Sequence, residues 1–136
     1  MSKQTKLILK FSEINIKDIL VVGGKNASLG EMYQNLTKQG INIPNGFAIT
    51  ASAYRHFLSN SGVDQKIKDI LKDLNTKDIT NLEERGQKVR EVILATEFPQ
   101  DLKEEILNSY KTIFNDTAVA VRSSATAEDL PDASFA

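Results

Sequence analysis

The spacing of apolar residues predicts short strands in the first half and at the end of the chain, with helices between them. Residues 6–11 (KLILKF) alternate between apolar and polar positions, which is typical of a strand with one buried face. Residues 47–50 (FAIT) follow a Pro-Asn-Gly sequence that favours a turn. Residues 117–122 (TAVAVR) are similarly short and apolar, so we predict three strands.

Apolar residues three or four positions apart predict five helices. Gly40 is suited to end the first helix and Ser52 to cap the second. Gly86 weakens the fourth helix, whereas Pro99 and Asp101 suit the first turn of the fifth. The predicted core stripes are, in chain order, Leu29, Met32, Tyr33 and Leu36; Ala53, Tyr54, Phe57 and Leu58; Ile67, Ile70, Leu71 and Leu74; Leu82, Val89, Val92 and Ile93; and Leu102, Ile106 and Ile113 with either Tyr110 or Phe114.

No internal repeat, low-complexity tract or linker divides the sequence. We therefore predict a single unit covering residues 1–136. The predicted fold class is α+β, with a small mixed sheet and a helical insert between the early and late strands. A chain of 136 residues is long enough to bury a hydrophobic core.

Composition excludes several classes of protein. With 17 basic and 18 acidic residues the net charge is −1, so no bulk field attracts nucleic acid or an anionic membrane. The absence of cysteine excludes disulfides and thiolate metal sites. Lys10 and Glu13 interrupt the first apolar run too early for a signal peptide, and no stretch is long enough to span a bilayer. We expect a soluble, cytoplasmic protein.

The first candidate for chemistry is VVGGKNASLG, residues 21–30. Gly23 and Gly24 allow a ligand to approach the backbone closely, Lys25 supplies an ammonium, and a helix N-terminus follows. Together these features are suited to binding phosphate. The spacing is not that of a Walker A loop, and a tight turn with a solvated lysine explains the pattern at least as well.

The second candidate is RSSATAED, which begins at Arg122 at the end of the last predicted strand. A guanidinium binds phosphate oxygens in a bidentate manner, and the hydroxyls of Ser123 and Ser124 add donors beside it. The alternative is a structural arginine paired with Glu128 or Asp129. The pattern by itself favours that alternative.

The two candidates support each other, because strands distant in sequence are often neighbours in a sheet. Lys25 and Arg122 converging on one cleft would suit a polyphosphate better than either cation alone. His56 lies between core positions of an amphipathic helix, so we interpret it as a boundary residue. The acidic residues lack ligand spacing, and we predict neither a catalytic residue nor a metal site in this chain.

Three segments resemble the N-terminal region of the phosphoenolpyruvate synthase (pyruvate, water dikinase) family. They are residues 23–32 (GGKNASLGEM), 43–54 (IPNGFAITASAY) and 120–136 (AVRSSATAEDLPDASFA). The resemblance extends over essentially the whole chain from about residue 11. It implies an ATP-binding domain of ATP-grasp type, of which this chain is the N-terminal part.

The resemblance also implies an activity. Members of the family convert ATP, pyruvate and water into AMP, phosphoenolpyruvate and phosphate, with Mg²⁺ and through a phosphohistidine on a swivelling domain. Lys25 and Arg122 match the family's residues that hold the ATP phosphates, and Gly23, Gly24 and the Ser123–Ser124 pair lie in the same motifs. The swivelling domain and the pyruvate-binding barrel are not in this sequence, so we expect an inactive fragment whose partner is the remainder of the same polypeptide.

Other interpretations stay open at this point. Pyruvate, phosphate dikinases usually follow the matching arginine with Ser-Gly and a methionine-rich loop, whereas Arg122 is followed by Ser-Ser-Ala-Thr. Rifamycin phosphotransferases share much of RSSATAEDLP and are harder to exclude. A free-standing nucleotide-binding or regulatory module of the same fold would also preserve these motifs.

Overall fold

The computed structural model describes residues 2–128. This part of the chain contains two β-strands and six α-helices, which are β1 (Ile8–Lys10), α1 (Ile19–Val22), α2 (Gly24–Leu36), β2 (Phe47–Ile49), α3 (Ala51–Asn60), α4 (Val63–Leu71), α5 (Ile79–Ala95) and α6 (Gln100–Phe114). Short 3₁₀ helices cover Phe11–Glu13, Ile16–Asp18 and Thr37–Gln39. The predicted combination of a small sheet with helices is confirmed.

The chain forms two compact units. The first contains the residues up to Tyr54 together with those from Asp101 onward, and the second contains Arg55–Gln100. Both strands belong to the first unit, and the second consists of helices and their connections. A single unit covering residues 1–136 stays a prediction.

The sheet fastens the start of the chain to the core of the first unit. β1 and β2 pair antiparallel, with Leu9 opposite Ala48, and these two residues are 0% and 2% exposed. The prediction of a mixed sheet is wrong for the described residues, because a sheet that combines parallel and antiparallel pairs needs at least three strands and this one has two.

The missing third strand is the predicted segment 117–122, which has no regular secondary structure. A strand needs a neighbour to complete its backbone hydrogen bonds, and this segment joins neither strand of the sheet. Val121 is 91% exposed. The apolar side chains of residues 117–122 are suited to a strand, but no strand among the described residues pairs with this segment.

Helix α2 packs on the core through small residues. Ala27 is fully buried, and a Cβ atom added to Gly30 would lie only 2.6 Å from the Cβ of Ile14. The Gln34 amide, on the same helix, donates to the carbonyl oxygens of Phe11 and Ile14. Of the predicted stripe, Met32 is 38% exposed. The helix therefore approaches residues 11–14 at backbone distance through Gly30, while Leu29 and Tyr33 of the predicted stripe pack against the core beside it.

The ends of two helices test the capping predictions. Gly40 has φ +81° and donates to the Thr37 carbonyl, so it ends the first helical segment as predicted. Thr50, not Ser52, caps α3. Its hydroxyl accepts from the Ala53 N–H at 3.1 Å and donates to the Lys6 carbonyl at 2.6 Å. The helix begins directly after β2, which places the cap two residues earlier than the sequence suggested.

The remaining helices fall where the apolar spacing predicts them. In the second unit Asp78 caps α5 by accepting from the Asn81 N–H at 3.2 Å, and the rings of Phe57 and Phe98 meet edge to face with centroids 5.5 Å apart. In the first unit, the Phe114 ring on α6 lies 6.0 Å from that of Phe47 on β2. No helix within residues 2–128 combines the length and apolar character needed to cross a membrane.

Asp18 is the most buried carboxylate among the described residues of the first unit, at 9% exposed. Partial burial by itself raises its pKa, but a hydrogen bond from the Lys3 ammonium at 2.7 Å, another from the Asn15 N–H at 2.9 Å, and the Lys3 charge outweigh burial. The pKa of Asp18 therefore lies below its ordinary value. The ionised carboxylate stabilises the turn that leads into α1.

Alanine at two helical glycines is expected to have opposite effects. Gly30→Ala should lower the free energy of unfolding by about 1–3 kcal/mol, because the new methyl group overlaps Ile14. Gly86→Ala in α5 is the matched control and should raise it by about 0.5–1 kcal/mol, since the only close atom is the flexible Arg90 Nη1 at 3.3 Å. Urea unfolding measures both. A stabilising Gly30→Ala would contradict the close approach of α2.

Asp18→Asn is expected to destabilise the protein at neutral pH and progressively less in acid. Because the folded-state pKa is lowered, the carboxylate contributes its full stabilisation above its unfolded pKa of about 4, and the contribution is lost as the pH falls through the folded-state pKa. Urea unfolding at several pH values should show the difference between wild type and variant closing below about pH 4. A constant difference down to about pH 2 would contradict this. Lys3→Gln should reduce the effect without abolishing it, since the Asn15 N–H still donates.

Candidate functional site

The Gly-Gly sequence forms the turn between α1 and α2. Gly23 has φ +81° and ψ 161°, a backbone conformation that is essentially restricted to glycine. Its N–H donates to the Ile19 carbonyl at 2.8 Å and its carbonyl accepts from Ala27 at 3.0 Å. Gly23 thus closes α1 and opens α2, and Gly24 is the first residue of the 13-residue helix.

The second candidate segment packs directly against this turn. Ser124 Oγ donates to the Val22 carbonyl at 3.0 Å across a sequence separation of 102 residues. A Cβ atom on Gly23 would lie 2.2 Å from Ser124 Oγ and 2.9 Å from the Ala125 carbonyl oxygen. The structure therefore brings together the two segments that the sequence singled out, and the lack of a side chain at Gly23 makes the contact possible.

Lys25 stands in the first turn of α2, and its ammonium contacts Glu128 Oε1 at 2.8 Å. The two side chains are 50% and 33% exposed, respectively. Sequence reasoning considered Glu128 or Asp129 as a partner for Arg122. Glu128 pairs instead with Lys25, and Asp129 lies outside the described residues. An ion pair as exposed as this one contributes about 0–1 kcal/mol, so it is readily exchanged.

Arg122 is exposed, and within residues 2–128 its side chain forms no ion pair or hydrogen bond. Arg122 lies two residues before Ser124, which contacts the Gly-Gly turn. The Cα atom of Arg122 is therefore within about 7 Å of the Cα atom of Ser124. Ser123, between them, is also exposed. The guanidinium is therefore available to solvent from a backbone position close to the Gly-Gly turn.

A cleft of about 340 Å³ opens beside this contact. Among the described residues, Ser124 lines the cleft, whereas Lys25 and Arg122 do not. Hydroxyl groups provide its polar surface, and the Thr50 hydroxyl is already bonded on both sides. The lining residues are Val22, Ile49, Thr50, Ala51, Tyr54, Ser124, Ala125 and Thr126. Sequence reasoning missed the contribution of Thr50 and Tyr54, although both belong to the motif at residues 43–54.

Asn26 is a third residue that sequence reasoning missed. Its side-chain amide donates to the Val22 carbonyl at 2.9 Å, so that carbonyl accepts from both Asn26 and Ser124. The signal was the position of Asn26 directly after the glycine turn, where a short amide reaches back to the preceding backbone. His56 lies in the part of α3 that belongs to the second unit, whereas these contacts belong to the first unit.

The comparison with known families defines the class of protein. The model of the pyruvate phosphate dikinase, AMP/ATP-binding domain matches residues 19–136. The chain belongs to this family of AMP/ATP-binding domains. The matched range contains both candidate segments.

Individual relatives then specify the similarity further. The chain is 50% identical to the phosphoenolpyruvate synthase of Synechocystis sp., with 98% of this chain and 18% of the relative covered. It is 49% identical to that of Aquifex aeolicus (100% and 16%) and 46% identical to that of Escherichia coli (96% and 17%). The predicted resemblance is confirmed, and these relatives favour the synthases over rifamycin phosphotransferases. The chain spans 16–18% of the length of these three relatives.

Alanine at Gly23 is expected to cost more than alanine at Gly40, although both glycines have φ +81°. Gly23→Ala should lower the free energy of unfolding by about 2 kcal/mol or more, because ψ 161° makes its backbone conformation essentially restricted to glycine and the new methyl group meets Ser124 and Ala125. Gly40→Ala should cost about 1 kcal/mol, since ψ 8° places it in the ordinary left-handed region and no atom of the described residues lies within 4 Å of its added Cβ. Urea unfolding compares the two variants. Equal losses would contradict both the strained backbone of Gly23 and its contact with residues 124–125.

Proposed function

We propose that this chain is the N-terminal ATP-binding part of a phosphoenolpyruvate synthase, and that Lys25 and Arg122 bind the phosphates of ATP. The observation that carries the proposal is the direct packing of the Gly23 turn against Ser124 and Ala125. Two segments separated by about a hundred residues of sequence adjoin where each presents a cation. The family match to an AMP/ATP-binding domain supplies the class of ligand.

The start of α2 is suited to an anion. The first N–H groups of a helix have no partner within the helix, and the helix dipole gives that end a partial positive charge. Gly24 is the first residue of the helix, and Lys25 adds a full positive charge one residue later. These features together favour a phosphate group over a neutral ligand.

A phosphate that binds Lys25 displaces the Glu128 carboxylate. The exposed pair contributes about 0–1 kcal/mol, whereas a well-formed charge-assisted hydrogen bond to phosphate contributes about 1.5–3 kcal/mol. The exchange is therefore favourable. Arg122 needs no such exchange within the described residues, and its planar guanidinium donates two parallel hydrogen bonds to one phosphate.

The whole protein would convert ATP, pyruvate and water into AMP, phosphoenolpyruvate and phosphate in the cytoplasm, with an ATP-binding domain of ATP-grasp type. The remainder of the polypeptide would supply the phosphorylated histidine and the pyruvate site, so this chain by itself is not expected to form phosphoenolpyruvate. Among residues 2–128 no cluster of three or more His, Asp or Glu side chains can hold a metal ion. Mg²⁺ would therefore reach these residues with the ATP phosphates and not on a site of their own.

Titration of the chain with ATP tests the proposal. We expect weak binding with a Kd of about 1 mM, followed through the amide NMR signals of Gly23, Gly24 and Lys25. Lys25→Ala and Arg122→Ala should each weaken binding by about tenfold or more, because each removes a charge-assisted contact. Arg122→Lys should recover little of the loss, since an ammonium does not reproduce the planar fork.

Lys38→Ala is the matched control. It removes the same charge from an exposed lysine in the 3₁₀ turn after α2, about 20 Å along the helix from Lys25. It should leave ATP binding unchanged. Loss of affinity equal to that of Lys25→Ala would indicate general charge attraction, and wild-type signals that do not move with ATP would overturn the proposal.

A further inference from the structure

The Val22 carbonyl is the point at which the two candidate segments are joined. Val22 is 4% exposed, and its oxygen accepts from Ser124 Oγ at 3.0 Å and from Asn26 Nδ2 at 2.9 Å. A carbonyl oxygen has two lone pairs, so both are used. Asn26 belongs to the same segment as Val22, whereas Ser124 reaches it from the other end of the chain. Among the described residues, the Ser124 hydrogen bond joins the backbone of the turn to the second segment, and the exposed Lys25–Glu128 ion pair is the other side-chain link between the segments.

We propose that Ser124 is a positioning residue, whose hydroxyl fastens the segment bearing Arg122 to the start of the helix bearing Lys25, and that it is not itself a phosphate ligand. This inference rests on the proposed function. It assigns Ser124 a different part from the direct contact with nucleotide that its place in the motif implied.

The hydrogen-bonding capacity of the hydroxyl supports this role. A serine hydroxyl has one proton to donate, and Ser124 donates it to the Val22 carbonyl. Donation to a phosphate oxygen would break that hydrogen bond and release the segment from the turn. The hydroxyl also lies directly against the Gly23 backbone, since a Cβ added to Gly23 would be only 2.2 Å from Ser124 Oγ.

The same geometry makes the proposal testable without unfolding the protein. In Ser124→Ala the buried Val22 carbonyl keeps the hydrogen bond from Asn26, so no buried acceptor loses all its partners. The variant should fold, while residues 122–125 lose their side-chain tether. Asn26→Ala is the matched variant, because it removes the other donor to the same carbonyl and leaves the tether intact.

The first measurement concerns the tether and needs no ligand. Heteronuclear NOE values for the amides of residues 122–125 should fall in Ser124→Ala and stay near wild type in Asn26→Ala and in Ser124→Thr, which keeps the hydroxyl. Unchanged values in Ser124→Ala would overturn the positioning role.

The second measurement is a double-mutant cycle with ATP as the probe. Ser124→Ala should weaken ATP binding by about threefold to tenfold, less than the loss of Arg122 itself, and Ser124→Thr should restore most of it. In the Arg122→Ala background the further loss from Ser124→Ala should disappear, because there is no guanidinium left to position. A loss of equal size in both backgrounds would show that Ser124 binds phosphate independently and would overturn the inference.

The cycle also separates this inference from the proposed function. If Lys25→Ala and Arg122→Ala both bind ATP as well as wild type, the phosphate site is wrong and the positioning role falls with it. If those two variants lose affinity and Ser124→Ala does not, the phosphate site stands and only the role of Ser124 is overturned.

Discussion

The arrangement of this chain depends on the absence of a side chain at Gly23. The backbone there adopts φ +81° and ψ 161°, and the atoms of Ser124 and Ala125 occupy the space that a Cβ would need. The buried Val22 carbonyl then accepts hydrogen bonds from both sides of the turn. Backbone geometry and one hydroxyl therefore hold the two candidate phosphate-binding segments together, and the exposed Lys25–Glu128 ion pair adds a weaker link.

Helix α2 also depends on small residues, which lie on the face that packs against the core. Ala27 and Gly30 are three residues apart, so they lie on the same side of the helix. Ala27 is fully buried, and Gly30 approaches Ile14 at backbone distance. Lys25 is two residues from Ala27, which is about 200° around the helix, and it is exposed. The small residues hold the helix against the core and leave the lysine facing solvent, where an anionic ligand can reach it.

The sequence predicted five of the six helices of residues 2–128, and two of the three predicted strands form, because apolar spacing and turn residues act locally. It predicted wrongly where the outcome depends on a distant partner. Residues 117–122 have the composition of a strand but find no neighbour in the sheet. Thr50 and not Ser52 caps α3, because the end of β2 decides where the helix begins. The Lys25–Glu128 pair joins residues 103 positions apart, and no local pattern specifies such a contact.

The two cations of the candidate site differ in how they meet a ligand. Lys25 starts from an exchangeable ion pair with Glu128, whereas Arg122 is exposed and unpaired within residues 2–128. Under the proposed function an arriving phosphate meets Arg122 without breaking any contact, and it gains Lys25 only by displacing a carboxylate. The displaced carboxylate then carries an uncompensated negative charge close to the ligand, which opposes binding. Under the proposed function, Mg²⁺ bound to the ATP phosphates would offset that repulsion.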